Sequence, residues 1–130
     1  MTATVVAEPQ RDWRQFALLL IDVQRDFWSE QLAPLFPAFP ANVARLLARC
    51  RAEGIEVMHL RASFKPDRSD WMARYKLRGR IPCVEGTTGV ETLPFALPLA
   101  SETVVSKQTF DGFLQPELLP HLQRGANASC

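Results

Sequence analysis

Phe16-Ala-Leu-Leu-Leu-Ile21 is the stretch that decides the fold class of this chain. Its apolar residues are consecutive rather than alternating, which is typical of a strand covered on both faces, as parallel strands in α/β proteins are. Between Asn42 and Gly54 the apolar residues recur at helical spacing, and Gly54 supplies the left-handed residue that ends a helix. A second apolar run follows from Ile55 to Leu60. A strand, a helix and a strand in this order predict a right-handed parallel crossover and therefore an α/β fold.

The second half of the chain is predicted to add one more strand and one more helix. Residues 61–80, rich in Lys and Arg, are expected to form a loop, and residues 81–102, rich in Pro and Gly, an irregular connection. Thr103-Val-Val-Ser106 is β-branched and predicts a third strand. A helix is expected from Gln115, and Pro120 would shorten or kink it because proline cannot donate an internal hydrogen bond.

The domain boundaries follow from where periodic structure begins and ends. Residues 1–15 are polar and without periodicity, so we expect a flexible N-terminal arm. Residues 16–124 form the predicted domain, and residues 125–130 a short divergent tail. A chain of 130 residues, 47% of them hydrophobic, suffices for one small globular domain with a single core.

Charge, apolar runs and cysteine number limit the classes of function. The net charge of +1 gives no basic footprint for nucleic acid or for an acidic membrane surface. No apolar stretch approaches the roughly 20 residues of a bilayer span, and the N-terminus lacks the apolar core of a secretory signal. A cytoplasmic location is therefore expected. Three cysteines without a CxxC spacing argue against a disulfide framework and against a zinc site.

Two charged residues come directly after predicted strands. In a parallel sheet ligands bind outside the carboxyl ends of the strands, and Asp22 and Lys107 both lie there. They could form a structural ion pair, or a base and a charge stabiliser in a site. Phe27 would be an apolar wall of that pocket or part of the core. His59 and His121 are expected to be packing or surface residues and receive no role.

The segment 61–80 contains seven Lys and Arg residues against two Asp. It is either a solvated surface segment or a lining that attracts a small anionic substrate. Trp71 lies within it and is predicted, together with Phe27, to contact a substrate.

Five segments of this sequence together resemble the isochorismatase-like cysteine hydrolase family. They are Ala17–Trp28, Asn42–Gly54, Val57–Phe64, Gly86–Gly89 and Val104–Phe113. The segments occur in the family's order, and the resemblance extends over residues 16–124. The blocks LLLIDVQRDF and VVSKQTFDGF are specific in combination, because each places a charged residue at a strand end.

The resemblance implies a three-layer α/β/α fold around a six-stranded parallel, Rossmann-like sheet and an active-site triad of Asp, Lys and Cys. Asp22 matches the aspartate that accepts the thiol proton, and Lys107 matches the lysine that favours the thiolate. The implied substrate is a small molecule with an amide-type carbon, and no cofactor is implied. Nicotinamidases of the family carry metal-binding histidines in the loop after the second strand. That loop has no histidine here, so we expect no metal site.

The sequence departs from the family at the nucleophile. The family's cysteine follows a fourth strand, and neither that strand nor a cysteine at the expected distance follows Lys107. Cys130 is too close to Lys107, and Cys50 and Cys83 are expected to be structural or incidental thiols. We therefore expect a C-terminally truncated, catalytically incomplete relative. Its first strand would be an uncovered edge, which makes the monomer marginally stable.

Two other interpretations stay open. A partner chain that supplies the missing strands and the thiol would complete an active cysteine hydrolase, so an oligomer is one of the expected states. Alternatively, the exposed strand edge would make the chain a non-catalytic interaction module that binds a partner strand by β-augmentation.

Overall fold

The computed structural model describes the backbone of residues 12–128 and the side chains of residues 12–124. Three strands and three α-helices alternate in this part of the chain. In order they are β1 (Ala17–Ile21), α1 (Phe39–Ala52), β2 (Glu56–Ala62), α2 (Ala73–Arg78), β3 (Thr103–Lys107) and α3 (Leu118–Ala128). Within the described part, every helix falls short of the length and apolar character that a bilayer span requires.

The three strands form one parallel sheet in the order β1-β2-β3. Leu19 of β1 pairs with Met58 of β2, and Met58 pairs in turn with Thr103 of β3. Each strand therefore lies beside its neighbour in sequence and is joined to it by a crossover connection. The predicted α/β class with a parallel sheet is confirmed.

Helices cover both faces of the sheet, which gives three layers. On one face Leu47 of α1 packs with Leu20 and Val57. On the other face Leu118 of α3 packs with Leu60. Because successive side chains of a strand point to opposite faces, β2 supplies residues to both cores, and all five of these residues are buried.

The helix boundaries differ from the prediction in two places. α1 begins at Phe39 rather than Asn42, with Pro40 in its first turn, where a missing N–H costs no helical hydrogen bond. α3 begins at Leu118, so Pro120 also lies in a first turn and interrupts no internal hydrogen bond. The expected shortening or kink at Pro120 was therefore wrong, because the helix starts later than its sequence pattern suggested.

The two connecting segments are more ordered than expected. Residues 61–80 are not a loop throughout, since β2 continues into them and α2 forms within them. Residues 81–102 are irregular, as predicted, but Val84 and Thr92 each form an isolated β-bridge to a residue outside the segment. These bridges tie the connection to the carboxyl end of the sheet.

β1 has a neighbouring strand on one side only among the described residues. Ile21 at its end is 54% exposed, and Phe16 just before it is 52% exposed. Residues 16–21 carry neither charge nor proline, the usual devices that protect a sheet edge from pairing with another chain. Among the described residues β1 therefore lies at an edge of the sheet, and the truncation that would leave it uncovered stays a prediction.

A buried ionic network ties α1 to the sheet. Glu102, just before β3, accepts hydrogen bonds from Arg51 Nε at 2.8 Å and from Arg51 Nη2 at 2.7 Å. The N–H of Leu99 donates to Glu102 Oε1 at 2.9 Å, and His59 Nε2 lies 3.0 Å from the same oxygen. The Arg51 guanidinium is the main cause that lowers the pKa of Glu102 from an ordinary value of 4.5 to about 2.

This lowered pKa predicts how stability depends on pH. The Glu102 carboxylate stabilises the fold fully above pH 4.5, and the contribution is lost as the pH falls from 4.5 towards 2. Glu102→Gln should lower the free energy of unfolding at pH 7 by up to about 3 kcal/mol. The variant should also show a shallower loss of stability below pH 4.5. Urea denaturation at pH 7 and pH 3 measures both effects.

Glu53→Gln is the control, because Glu53 pairs with Arg49 on the surface, where the side chains are 41% and 78% exposed. This substitution should change the free energy of unfolding by less than about 1 kcal/mol. Equal effects of the two substitutions would contradict the assignment of the acid-sensitive stability to Glu102.

Candidate active site

Asp22 follows the last residue of β1. Its N–H donates to the carbonyl of Leu60 at 3.0 Å, which continues the ladder between β1 and β2 by one step. Its φ of +59° is in the left-handed region, which few residues with a Cβ occupy and in which Asp and Asn are enriched. The chain turns at this residue, so Asp22 lies at the rim of the sheet.

Lys107 is the last residue of β3, and β2 lies between it and β1. Its side chain is only 5% exposed, and its Nζ lies 2.9 Å from Oδ1 of Asp22, whose side chain is 34% exposed. The pair thus spans the carboxyl ends of all three strands. The structure brings together the two residues that the sequence analysis selected.

The contact between these residues is a charge contact rather than a directed hydrogen bond. Asp22 Oδ1 is buried and has no hydrogen-bond partner within residues 12–128, although Lys107 Nζ is close to it. Lys107 Nζ also lies 3.5 Å from the carbonyl of Thr109. A carboxylate oxygen with a free lone pair can accept a hydrogen bond from a bound group. The geometry fits both a structural ion pair and a base with a charge stabiliser.

An apolar cavity of about 320 Å³ opens beside Asp22. Its lining includes Phe27, Trp28, Leu32, Phe36, Phe39 and Leu93. Phe27, which the sequence placed either in a pocket wall or in the core, is 37% exposed and lines this cavity. Asp22 is thus the charged group at the edge of an apolar site.

Trp71 lies in a different cluster from Phe27. It packs against buried residues at the base of the loop after β2, and its indole N–H donates to the carbonyl of Lys65 at 2.8 Å. The Arg68 guanidinium lies 5.2 Å from the centroid of the indole ring. Trp71 therefore holds this loop together, and the structure does not place it at the cavity beside Asp22.

The basic segment 61–80 is mostly exposed, but part of it faces a second groove. Arg78 lines this groove, of about 320 Å³, together with Arg80, Tyr75 and Asp26. Within residues 12–128, no three His, Cys, Asp or Glu side chains gather into a group that could hold a metal ion. The chemistry offered by the segment is attraction of an anion.

Gln24 is a structural residue that sequence reasoning missed. Its side chain is 1% exposed, and its Nε2 donates to the carbonyls of Ala62 at 2.7 Å and Val90 at 2.9 Å. Its Oε1 accepts the N–H of Ala62 at 2.8 Å. The pairing of β1 with β2 ends at Leu60, and the Gln24 side chain takes the place of a strand partner for Ala62. These bonds hold in place the rim on which Asp22 lies. The place of Gln24, three residues after the end of β1, was the only signal for it in the sequence.

Asp26 is a second missed residue. Its Oδ2 accepts the N–H of Cys83 at 2.8 Å, and a Cβ at Gly89 would collide with its carboxylate. Cys83 has a φ of +60°, so the turn that presents this N–H is in a strained conformation for a non-glycine residue. The carboxylate of Asp26 therefore organises the loop beside the rim.

The described cysteines do not offer a reactive thiol to the pair. Cys83 is fully buried and its Sγ lies 3.6 Å from the carbonyl of Gly89. Burial, followed by the nearby Asp26 and Asp22 carboxylates, raises the pKa of Cys83 to about 12. Cys50 belongs to α1 and is buried in the core between that helix and the sheet. Both agree with the expectation of structural thiols, and Cys130 lies outside the described residues.

The unequal burial of Asp22 and Lys107 predicts unequal costs of removing them. Asp22→Asn keeps a residue that tolerates the left-handed backbone but leaves the buried ammonium unpaired, so we expect a loss of about 3–5 kcal/mol of unfolding free energy. Lys107→Met leaves a carboxylate that water reaches, and the loss should be about 1–3 kcal/mol. Urea denaturation at pH 7 measures both values.

The double variant supplies the control. Because both charges are then absent, it should be more stable than the sum of the single losses predicts, with a coupling energy above about 1 kcal/mol. Additive losses would show that the 2.9 Å contact contributes nothing to stability.

Solved structures of similar shape place this geometry among known folds. An isochorismatase family protein from Desulfovibrio vulgaris is 32% identical with a TM-score of 0.69, and the match covers 86% of this chain and 62% of that one. A cysteine hydrolase from Pseudomonas syringae pv. phaseolicola is 21% identical with a TM-score of 0.74, over 97% of this chain and 61% of that one.

N-carbamoylsarcosine amidase from Thermoplasma acidophilum is 23% identical with a TM-score of 0.63, over 83% of this chain and 60% of that one. This chain therefore spans about three fifths of the length of each of these three proteins. The profile of the isochorismatase domain matches residues 16–127. The resemblance drawn from the motifs is confirmed, and the chain belongs to the isochorismatase family.

Proposed function

We propose that Asp22 and Lys107 are the carboxylate base and the charge-stabilising lysine of a hydrolase site for a small amide or ureido substrate. The observation that carries this proposal is the 2.9 Å contact between Lys107 Nζ and Asp22 Oδ1 at the rim of the sheet, beside the apolar cavity that Asp22 and Phe27 line.

The two groups have complementary roles in the proposed chemistry. A cysteine thiol would give its proton to Asp22, and the resulting thiolate would attack the amide-type carbon of the substrate. The C–N bond would then break, and the leaving amine would take the proton back from Asp22. Water would hydrolyse the thioester that remains, which regenerates the thiol. Lys107 would stabilise the thiolate and the negative charge that develops on the substrate oxygen. Phe27 would form the apolar wall beside the reacting carbon. The basic segment that contains Arg78 would attract a substrate carboxylate.

We further propose that the 130-residue chain does not turn over such a substrate by itself. Cys83 is fully buried, with its pKa raised to about 12, so its thiol stays protonated at neutral pH. Cys50 lies on the buried side of α1, on the face of the sheet opposite α3. Asp22 and Lys107 would supply two of the three groups that the family's chemistry needs, and neither of these thiols would serve as the third.

An assay of ammonia release from N-carbamoylsarcosine tests this proposal. The 130-residue chain should release no ammonia above the buffer blank, with the amidase from Thermoplasma acidophilum as the positive control. A fusion of residues 12–124 to the part of that amidase that this chain does not cover should hydrolyse the substrate. Asp22→Asn and Lys107→Met should each lower the rate of the fusion by at least about 100-fold.

Glu53→Gln and Arg45→Gln are matched controls, since both residues are exposed and lie outside the basic segment. They should leave the rate of the fusion within about twofold of the unmodified fusion. A folded, active fusion that is insensitive to Asp22→Asn would refute the role of Asp22. Turnover by the 130-residue chain that is lost in Cys83→Ser would refute its incompleteness.

The uncovered edge of β1 favours a second candidate function, an interaction module that pairs with another strand. Among the described residues β1 presents one free row of backbone donors and acceptors, and Ile21 at its end is half exposed. Such an edge is a ready template for β-augmentation.

Sedimentation velocity over a range of concentrations tests the edge. We expect the unmodified chain to associate, and Ile21→Lys to shift the equilibrium to monomer, because charge on an edge strand opposes pairing. Leu77→Lys is the control, since Leu77 is 89% exposed on α2 and away from β1. Equal effects of the two substitutions would assign the association to general hydrophobicity instead of the edge.

A further inference from the structure

We propose that Arg61 forms a second binding site, for a small carboxylate with an apolar body, on the face of the sheet opposite Lys107. Nothing in the proposed hydrolase chemistry uses this residue. The site rests on three observations, which are the direction of the Arg61 side chain, the groove it lines and a buried nitrogen without a partner.

The register of the sheet sets the direction of Arg61. In β2, Arg61 pairs with Ser106 of β3, whereas the next residue, Ala62, pairs with Lys107. Because adjacent residues of a strand point to opposite faces, Arg61 and Lys107 lie on different faces. Val57 is four residues before Arg61 on β2, so both side chains point to the same face of the sheet. Val57 packs under α1, and the new site therefore lies on the α1 face.

Arg61 lines a groove of about 510 Å³ between β2 and the connection before β3. Two other charged residues line it, Arg25 and Glu91, and these neutralise each other through a 3.0 Å ion pair. Arg61 makes no ion pair with a carboxylate of the described residues within 4.0 Å. The groove therefore carries one uncompensated positive charge.

The Nε atom of Arg61 is buried and has no hydrogen-bond partner within residues 12–128. A buried N–H donor without an acceptor is costly, so an acceptor supplied by a ligand would be bound with favourable free energy. The planar guanidinium presents its donors as a fork that matches the two oxygens of a carboxylate. A carboxylate is therefore the ligand whose shape and charge the guanidinium would recognise.

The other residues that line the groove determine which apolar group the ligand would carry. Pro94, Leu97 and Pro98 are apolar and surround the space beyond Arg61. A carboxylate that carries a ring or a short aliphatic chain would place its charge on Arg61 and its apolar part on these residues. Such a ligand is recognised by charge and shape together.

Isothermal titration of the 130-residue chain with benzoate and with benzamide tests the site. The two probes have the same ring, and only benzoate carries the charge. We expect benzoate to bind at least tenfold more tightly than benzamide. Arg61→Gln should weaken benzoate binding at least tenfold, and Arg45→Gln, at an exposed position on α1, should leave it within twofold. Equal binding of the two probes, or no binding of benzoate, would overturn the proposal.

A second pair of variants tests the site even if the Arg61→Gln variant fails to fold. Leu97 is 56% exposed, so Leu97→Asp can place a carboxylate at the groove without opening the core. This internal carboxylate should compete with benzoate and weaken its binding at least tenfold. The same change at Leu77, which is 89% exposed on α2, should leave binding within twofold. Unchanged binding in a folded Leu97→Asp chain would overturn the site, with no consequence for Asp22 and Lys107.

Discussion

The ion pair between Asp22 and Lys107 is the constraint on which the rim of this molecule depends. It joins the ends of the first and third strands over the end of the second, and it places a buried ammonium where few solvent molecules reach. A buried ammonium is tolerable only with its counter-charge close by, so the ends of the two outer strands must keep their relative position. Gln24 supports the same arrangement by bonding both the N–H and the carbonyl of Ala62.

The regular parts of the fold could be predicted because they leave a periodic signal in the sequence. The consecutive apolar residues of β1 predicted a strand with helices on both faces of the sheet. The helical spacing of apolar residues in α1 predicted a helix with one buried face. The positions of Asp22 and Lys107 at strand ends were enough to predict their meeting, because parallel strands bring their carboxyl ends to one edge.

Other features could not be predicted because they depend on contacts between distant segments. Gln24 looks like any polar residue after a strand until the loop that contains Val90 closes over it. Glu102 lies 51 residues from Arg51, and no local pattern links them. Trp71 is an aromatic residue in a basic segment, which suggested a binding role. Its indole N–H instead donates to the carbonyl of Lys65 in the same loop. The start of α3 was misplaced because Pro116, which is tolerated in a first turn, lies before the helix rather than within it.

The sequential strand order has a consequence for how the chain is made. Each strand pairs with the one synthesised just before it, so β1, α1 and β2 can assemble while β3 is still inside the ribosome. Short sequence separations between partners reduce the entropy lost on closing each unit, which favours rapid assembly. The nascent chain therefore acquires its first apolar layer early, and the lysine that completes the rim arrives last.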